Sequence, residues 1–452
     1  MTSQLKIGKR NTFQISMEED EVNTEVVVTD PPEGYEENEN EVVDAANELD
    51  QNTSDLDAGL DEMEELGVVK DQAIKAVEEG DGFTEREAEM AEVSLEHLYE
   101  RLGYNKPTRR PSLEDYGSKN TRFETTKKFV LSLEEDESNL WEKFKAFCEK
   151  ISSKIADLWK SLTDSLVKTE KWANDLSATI DKMGDTRSPR SKEISNPSVV
   201  NVFCYYGDKI NGSNVLHQLT YQEQATKTIF SGFRSLLAES FKVIEDEAFN
   251  TVNSEGNPEA YKENVKKVLE KGLTSMSSVV KKNGNVFVAG PFVSNKSLVF
   301  STSVLGQIAA QWREDNKGIK KGEGVDAAKT NKIPVLSISE MKNIITKVIE
   351  VCKVTSEAKK ELDDVVKEIK EVNVKLEGLS KQTKEPGKFL AKKNKIISET
   401  RSDITSNINA FNRIAHGIPS LNLQGMSGAL KYVTSSLKSY KDEATADRTV
   451  TE

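Results

Sequence analysis

The sequence predicts a mainly α-helical protein with one small antiparallel sheet set between helical regions. Three observations carry that reading. Apolar residues recur at three- and four-residue spacing over most of the chain, the period of a single helix face. Short strand-like apolar runs bounded by turn residues are confined to the stretch between residues 187 and 336. Charged residues make up 31% of the chain and hydrophobic ones 36%, so a core has to be assembled from stripes rather than from continuous apolar runs.

Charge divides the chain before any element does. Of the 452 residues, 1–134 carry a net charge of about −20 and the remainder about +6, so the overall −14 averages two halves of opposite sign. Residues 1–45 hold Glu18-Glu19-Asp20-Glu21 and Glu36-Glu37-Asn38-Glu39 and are poor in large apolar side chains. That composition cannot bury enough surface to offset chain entropy, and it predicts a disordered acidic tail.

Residues 46–134 read as an acidic helical leader. Leu60, Met63, Leu66, Ile74 and Val77 fall roughly at helical spacing, and Gly80-Asp81-Gly82 breaks the run. Thr84 with Glu87 has the spacing of a capping box. Ala91, Leu95, Leu98 and Leu102 continue one face up to Gly103, so the leader is a helical hairpin. The prolines and glycine between Pro107 and Gly117 make the following stretch a poor regular element.

Residues 135–186 form a long amphipathic helix in this reading, from Leu140, Phe144 and Ile151 to Leu176 and Ile180, with Trp141, Trp159 and Trp172 on or beside the stripe. Residues 187–336 are a small α+β region. Val199–Tyr206, Asn285–Gly290 and Ser297–Ser301 read as strands, helices are expected around Tyr221–Asp246 and Tyr261–Val280, and Asn283-Gly284 as a tight turn. Residues 337–452 return to helix. Met341, Ile345, Val348, Cys352, Leu362 and Val366 step in a broken heptad that suits an antiparallel bundle. Pro386-Gly387 turns the chain, Ile397 to Ile414 supply a return helix, and Leu430 to Tyr440 a last short one.

Motifs for chemistry do not emerge. The chain has no HExxH, GxSxG, GxGxxG or Walker A pattern. His97, His217 and His416 are far apart, and Cys148, Cys204 and Cys352 lack metal-ligand spacing. The reading is therefore non-enzymatic, with no cofactor and no metal. No run approaches the ~18 apolar residues that a membrane helix needs, and the start of the chain lacks a signal-peptide core. No membrane partner is expected. Lys281-Lys282, Lys320-Lys321 and Lys392-Lys393 are small basic clusters suited to non-specific phosphate contact.

The tripeptide Ser-Leu-Glu occurs three times in the front part, as Ser94-Leu95-Glu96, Ser112-Leu113-Glu114 and Ser132-Leu133-Glu134. The first lies in a predicted helix and the other two in chain expected to be looser. Around them, Glu100-Arg101-Leu102-Gly103 is followed by Pro111-Ser112-Leu113-Glu114-Asp115-Tyr116 and then by Trp141. This order resembles the N-terminal part of internal head proteins of large tailed phages. Asp115-Tyr116 departs from the more usual Ser-Phe of that box. The resemblance implies a precursor made in the cytoplasm of a host bacterium and packed inside the phage head. It implies cutting by a prohead protease after a small-x-Glu site, here after Glu134 with Glu114 and Glu96 as secondary sites. The resemblance implies the prohead core and its protease as partners; the net positive body is suited to holding packaged DNA non-specifically, and its helical stripes to self-association. Two other readings stay open: a scaffold or adaptor that keeps its acidic arm, and an enzyme with an unfamiliar site within residues 197–330.

Overall fold

A computed structural model describes residues 30–101, 112–184, 187–203, 210–253, 258–302, 307–314, 332–382 and 390–440. The fold is mainly α, as composition and periodicity predict. Helix α1 spans Tyr35–Glu78, α2 Glu85–Arg101, α3 Lys119–Met183, α4 Pro197–Phe203, α5 Gly212–Asn253, α6 Pro258–Ser275, α7 Ile338–Gln382 and α8 Leu390–Lys438. Strands β2 (Val280–Asn283), β3 (Val286–Ala289), β4 (Lys296–Thr302) and β5 (Ile308–Glu314) form an antiparallel meander. A second pair joins β1 (Glu193–Ser195) to β6 (Lys332–Pro334), with Ile194 opposite Ile333.

Helix α1 corrects the boundary expected for the disordered tail. Residues 1–29 lie outside the described residues, but Tyr35 to Ala45 are helical. Gly34 takes a φ of +70°, which only glycine adopts freely, and Tyr35 N–H donates to Pro32 O at 3.0 Å. Glu36 and Glu37 in the first turn favour the positive end of the helix dipole. Beyond them Tyr35, Val42, Ala46, Leu49, Leu56 and Leu60 repeat in steps of seven, four and three and are all buried. Acidic composition concealed this stripe because the intervening positions are nearly all polar.

The stripe feeds two cores. From Tyr35 to Leu60 it packs with α3, α5, α7 and α8 in the main core. From Leu66 to Ala73 it packs with Phe83, Ala88, Ala91, Leu95, Leu98, Tyr116, Phe129 and Leu133 in a smaller cluster. The expected hairpin is present there: Gly80 and Gly82 have positive φ, and Thr84 and Glu87 cap α2 reciprocally, with bonds of 2.8 and 3.3 Å. A Cβ on Gly82 would lie 2.6 Å from the backbone of Arg122, so α3 can approach this turn only if the residue is glycine.

The largest difference from the sequence reading is α3. It starts at Lys119, capped by Ser118, whose Oγ accepts from Thr121 N at 3.3 Å, and runs unbroken for 65 residues. The stretch read as loose chain before residue 135 is therefore mostly the first turns of this helix. Its apolar positions there, such as Phe129 and Leu133, are in phase with the stripe seen farther along but pack into the smaller cluster, whereas Ile151 packs into the main core.

The strand expected at Val199–Tyr206 is helix α4 over Pro197–Phe203, and residues 204–206 lie outside the described residues. Asn196 Oδ1 accepts from Val199 N at 3.1 Å and Pro197 takes the first helical position, a start signal stronger than the β-branched run behind it. The Asn283-Gly284 turn joins β2 to β3, with Gly284 at φ +61°. Phe287 pairs with Phe300 and Leu298 with Trp312 across the meander. Phe287, Ala289, Leu298, Phe300, Ile308 and Ala310 bury its inner side.

Helix α8 is the centre of the molecule. It is a single helix where two were expected, and Pro386-Gly387 lies outside the described residues. It touches α1, α3, α4, α5, α7 and β5, and nearly every residue from Thr400 to Leu437 is buried. Close approach needs small residues: a Cβ on Gly417 would meet the Trp312 ring at 2.2 Å and one on Gly425 the Gln222 amide at 2.4 Å. Aromatic rings tie the layers. Phe233 of α5 stacks between Phe300 of β4 and Phe411 of α8, at 5.9 and 6.2 Å between centroids.

Candidate functional site: the acidic helix against the body

A helix buried on all sides has to satisfy its polar side chains by crossing to its neighbours. On the α1 side, Arg413 donates to Asp57 Oδ2 at 2.9 Å and to Ser54 Oγ at 3.1 Å, and Asn409 donates to Thr53 O at 2.8 Å and to Asp57. Ser427 Oγ donates to Glu39 at 2.6 Å, and Lys431 lies 3.3 Å from Glu39 and 3.6 Å from Glu36. Lys438 pairs with Asp30 at 3.3 Å, and Lys154 of α3 pairs with Glu48. Tyr35 O–H shares a 3.0 Å bond with Thr169 Oγ1, and burial pushes its pKa up. The Lys154 bond and charge hold Glu48 below the usual carboxylate range, whereas burial raises Asp57 despite Arg413 beside it.

A cleft of about 350 Å³ opens between α1, α8 and the sheet, lined by Asn47, Asp50, Lys296, Trp312, His416 and Gln424 among others. His416 is buried, and among the described residues neither ring nitrogen has a hydrogen-bond partner. Burial, with Arg413 and Lys296 nearby, lowers its pKa from 6.5 to about 3. The imidazole stays neutral near pH 7 and is not poised to exchange protons there. His97 and His217 are exposed on α2 and α5, and Cys352 is buried against Met426 Sδ at 3.3 Å. Among the described residues no group of three or more His, Cys, Asp or Glu could hold a metal ion, and no helix is long and apolar enough to cross a membrane.

His416 makes stability depend on pH. Its folded pKa is depressed, so the unfolded chain takes up the proton first and the contribution present above 6.5 is lost as pH falls towards about 3. Between pH 6 and 5 the wild type is expected to lose about 1.2 kcal/mol more than His416→Leu. Urea unfolding of both proteins at the two pH values checks this, and parallel losses would count against it.

The three Ser-Leu-Glu tripeptides are not brought together. Ser94 and Glu96 are exposed on α2, with Leu95 buried between them. Ser112, Leu113 and Glu114 sit at the 3-10 turn Leu113–Tyr116, where Ser112 and Glu114 are exposed. Ser132, Leu133 and Glu134 lie inside α3. Ser132 Oγ donates to Phe129 O at 2.7 Å and Leu133 is fully buried in the smaller cluster. Ile151, farther along the same helix, already belongs to the main core.

A family model described as phiKZ-like phage internal head proteins matches residues 18–435. The chain belongs to this family. The match spans α1 to nearly the end of α8, so it covers the acidic front and the basic body together. An internal head protein lies inside the virion, and the expectation drawn from the short motifs before Trp141 is met at the level of the family. No curated protein and no solved structure matches the chain. The ion pairs between α1 and the body of this internal head protein had no sequence signal, because Asp57 and Arg413 are 356 positions apart.

Proposed function

We propose that this internal head protein is a structural, non-enzymatic component whose acidic leader takes it into the prohead core. The prohead protease then cuts the leader, and a basic body remains beside the packaged DNA. The observation that carries this reading is the position of Ser132-Leu133-Glu134. The tripeptide stands where α3 passes from the smaller cluster at Leu133 to the main core at Ile151, and the chain up to it carries a net charge of about −20 against about +6 beyond it. A cut there separates the smaller cluster, which is built from leader residues, from the helix that continues into the body, while Tyr35 to Leu60 stay packed in the main core. Removing the acidic half ends its repulsion of phosphates, and the body's charge of about +6 favours weak, sequence-independent DNA binding that falls with salt.

Folding orders the cuts. Proteases need extended chain, so the exposed turn carrying Glu114 opens first. Glu134 follows once the start of α3 unwinds, and Glu96 requires α2 to unwind. The mature N-terminus in particles is expected at residue 135. Particles made with Glu134→Ala should hold a body with a different N-terminus, as read by N-terminal sequencing. A wild-type N-terminus in that variant, or only full-length chain in wild-type particles, would sink the proposal.

A second reading, a scaffold that keeps its acidic arm, draws support from the burial of α1 in the main core. Mass spectrometry of mature particles separates the two. Peptides from residues 30–101, present in the same amount as those of the body, would favour the retained arm.

A further inference from the structure

We propose that α1 is an internal stand-in for duplex DNA: its carboxylates cover a row of body lysines that DNA phosphates occupy once the leader is gone. This deepens the processing reading above and rests on it. In the row, each cation belongs to α3 or α8 and each anion to α1 or the residues leading into it. Lys438 pairs with Asp30, Lys431 with Glu36 and Glu39, Lys154 with Glu48, and Arg413 with Asp57. Helices α1 and α8 run antiparallel here, so descending numbers on α8 meet ascending numbers on α1. From Glu36 to Asp57 the row covers about 30 Å at 1.5 Å per residue, close to one turn of duplex DNA.

These pairs do little to hold α1 in place, since solvent-reached ion pairs contribute about 0–1 kcal/mol each. The apolar stripe from Tyr35 to Leu60 does that. What the pairs do is neutralise cations. Arg413 is nearly buried, with 6% of its side chain exposed, and stays with the core. Lys154, Lys431 and Lys438 keep 30%, 23% and 54% exposure with α1 in place, so they are the groups a phosphate backbone can reach. Releasing condensed counterions from the duplex supplies a gain that separate carboxylates cannot match.

Deleting α1 would strip the core, so the test keeps the full chain and removes only charge. One variant carries Asp30→Asn, Glu36→Gln, Glu39→Gln and Glu48→Gln. The control carries Glu78→Gln, Glu85→Gln, Glu89→Gln and Glu100→Gln, exposed leader glutamates outside the row, for the same change in net charge. Binding to a labelled mixed-sequence duplex is measured across salt concentrations. The row variant is expected to bind about tenfold more tightly than the control at low salt, with a salt slope steeper by about 2–3 for three lysines. Adding Lys154→Gln, Lys431→Gln and Lys438→Gln should abolish the gain. Equal gains in both variants, or none in either, would overturn the proposal. No cut occurs in this experiment, so its failure is separate from that of the processing reading, which the mature N-terminus tests.

Discussion

A chain beginning at residue 135 is expected to be far less stable than the full-length protein. Helix α1 contributes Tyr35, Val42, Leu49, Leu56 and Leu60 to the main core, each 7% exposed or less. At about 1.5–3 kcal/mol per large buried side chain, their loss removes roughly 10 kcal/mol, an upper figure because the remaining body relaxes. Whole domains are stable by about 5–15 kcal/mol, so the shortened body should show a much lower urea midpoint and expose apolar surface to a hydrophobic dye. A peptide covering residues 30–78, added in trans, should restore much of the loss. Equal midpoints for the two chains would show that α1 is dispensable. The same energetics bear on processing: cutting after Glu134 does not by itself release α1, which stays bound by its stripe until something displaces it.

The second large effect is expected at Trp159, where a proline inside a buried helix is compensated. Pro419 has no N–H, so the carbonyl four residues earlier, Ala415, loses its helical donor. Trp159 Nε1 of α3 donates to that oxygen at 3.0 Å, and the indole is 1% exposed. Trp159→Phe should cost about 3 kcal/mol, combining about 1–3 for a buried carbonyl left without a donor with a smaller loss of packing. Pro419→Ala returns the missing N–H. It should therefore recover at least about 1 kcal/mol in the Trp159→Phe background relative to its effect in the wild type. Strictly additive effects in this double-mutant cycle would mean that the indole bond does not compensate for the proline.

Local signals were legible wherever a residue acts on its immediate neighbours. The Thr84–Glu87 cap, the glycine break before it and the turn at Gly284 follow from such chemistry. The misread strand at Val199–Phe203 is the instructive exception. Asn196-Pro197 announces a helix start, but the β-branched run behind it was given more weight. The continuous passage of α3 through Ser132-Leu133-Glu134 was present in the spacing, since Phe129, Leu133, Leu140, Phe144, Phe147 and Ile151 keep three-, four- and seven-residue steps, but the acidic run Glu134-Glu135-Asp136-Glu137 reads as a boundary.

By itself the sequence determined the mainly helical class, the positions of β3 and β4, the division into acidic and basic halves, and enough short motifs to indicate the family. These depend on composition, on period, and on caps and turns a few residues long. Only the tertiary structure decided that the acidic α1 is built into the main core, that α8 is surrounded on every side, and that carboxylates of α1 lie on lysines of α3 and α8. The physical reason is that a stripe shows that a helix has a face to bury but does not identify what covers it. Pairs such as Asp57 with Arg413, or Trp159 with Ala415, exist only after packing has brought distant segments of the chain together.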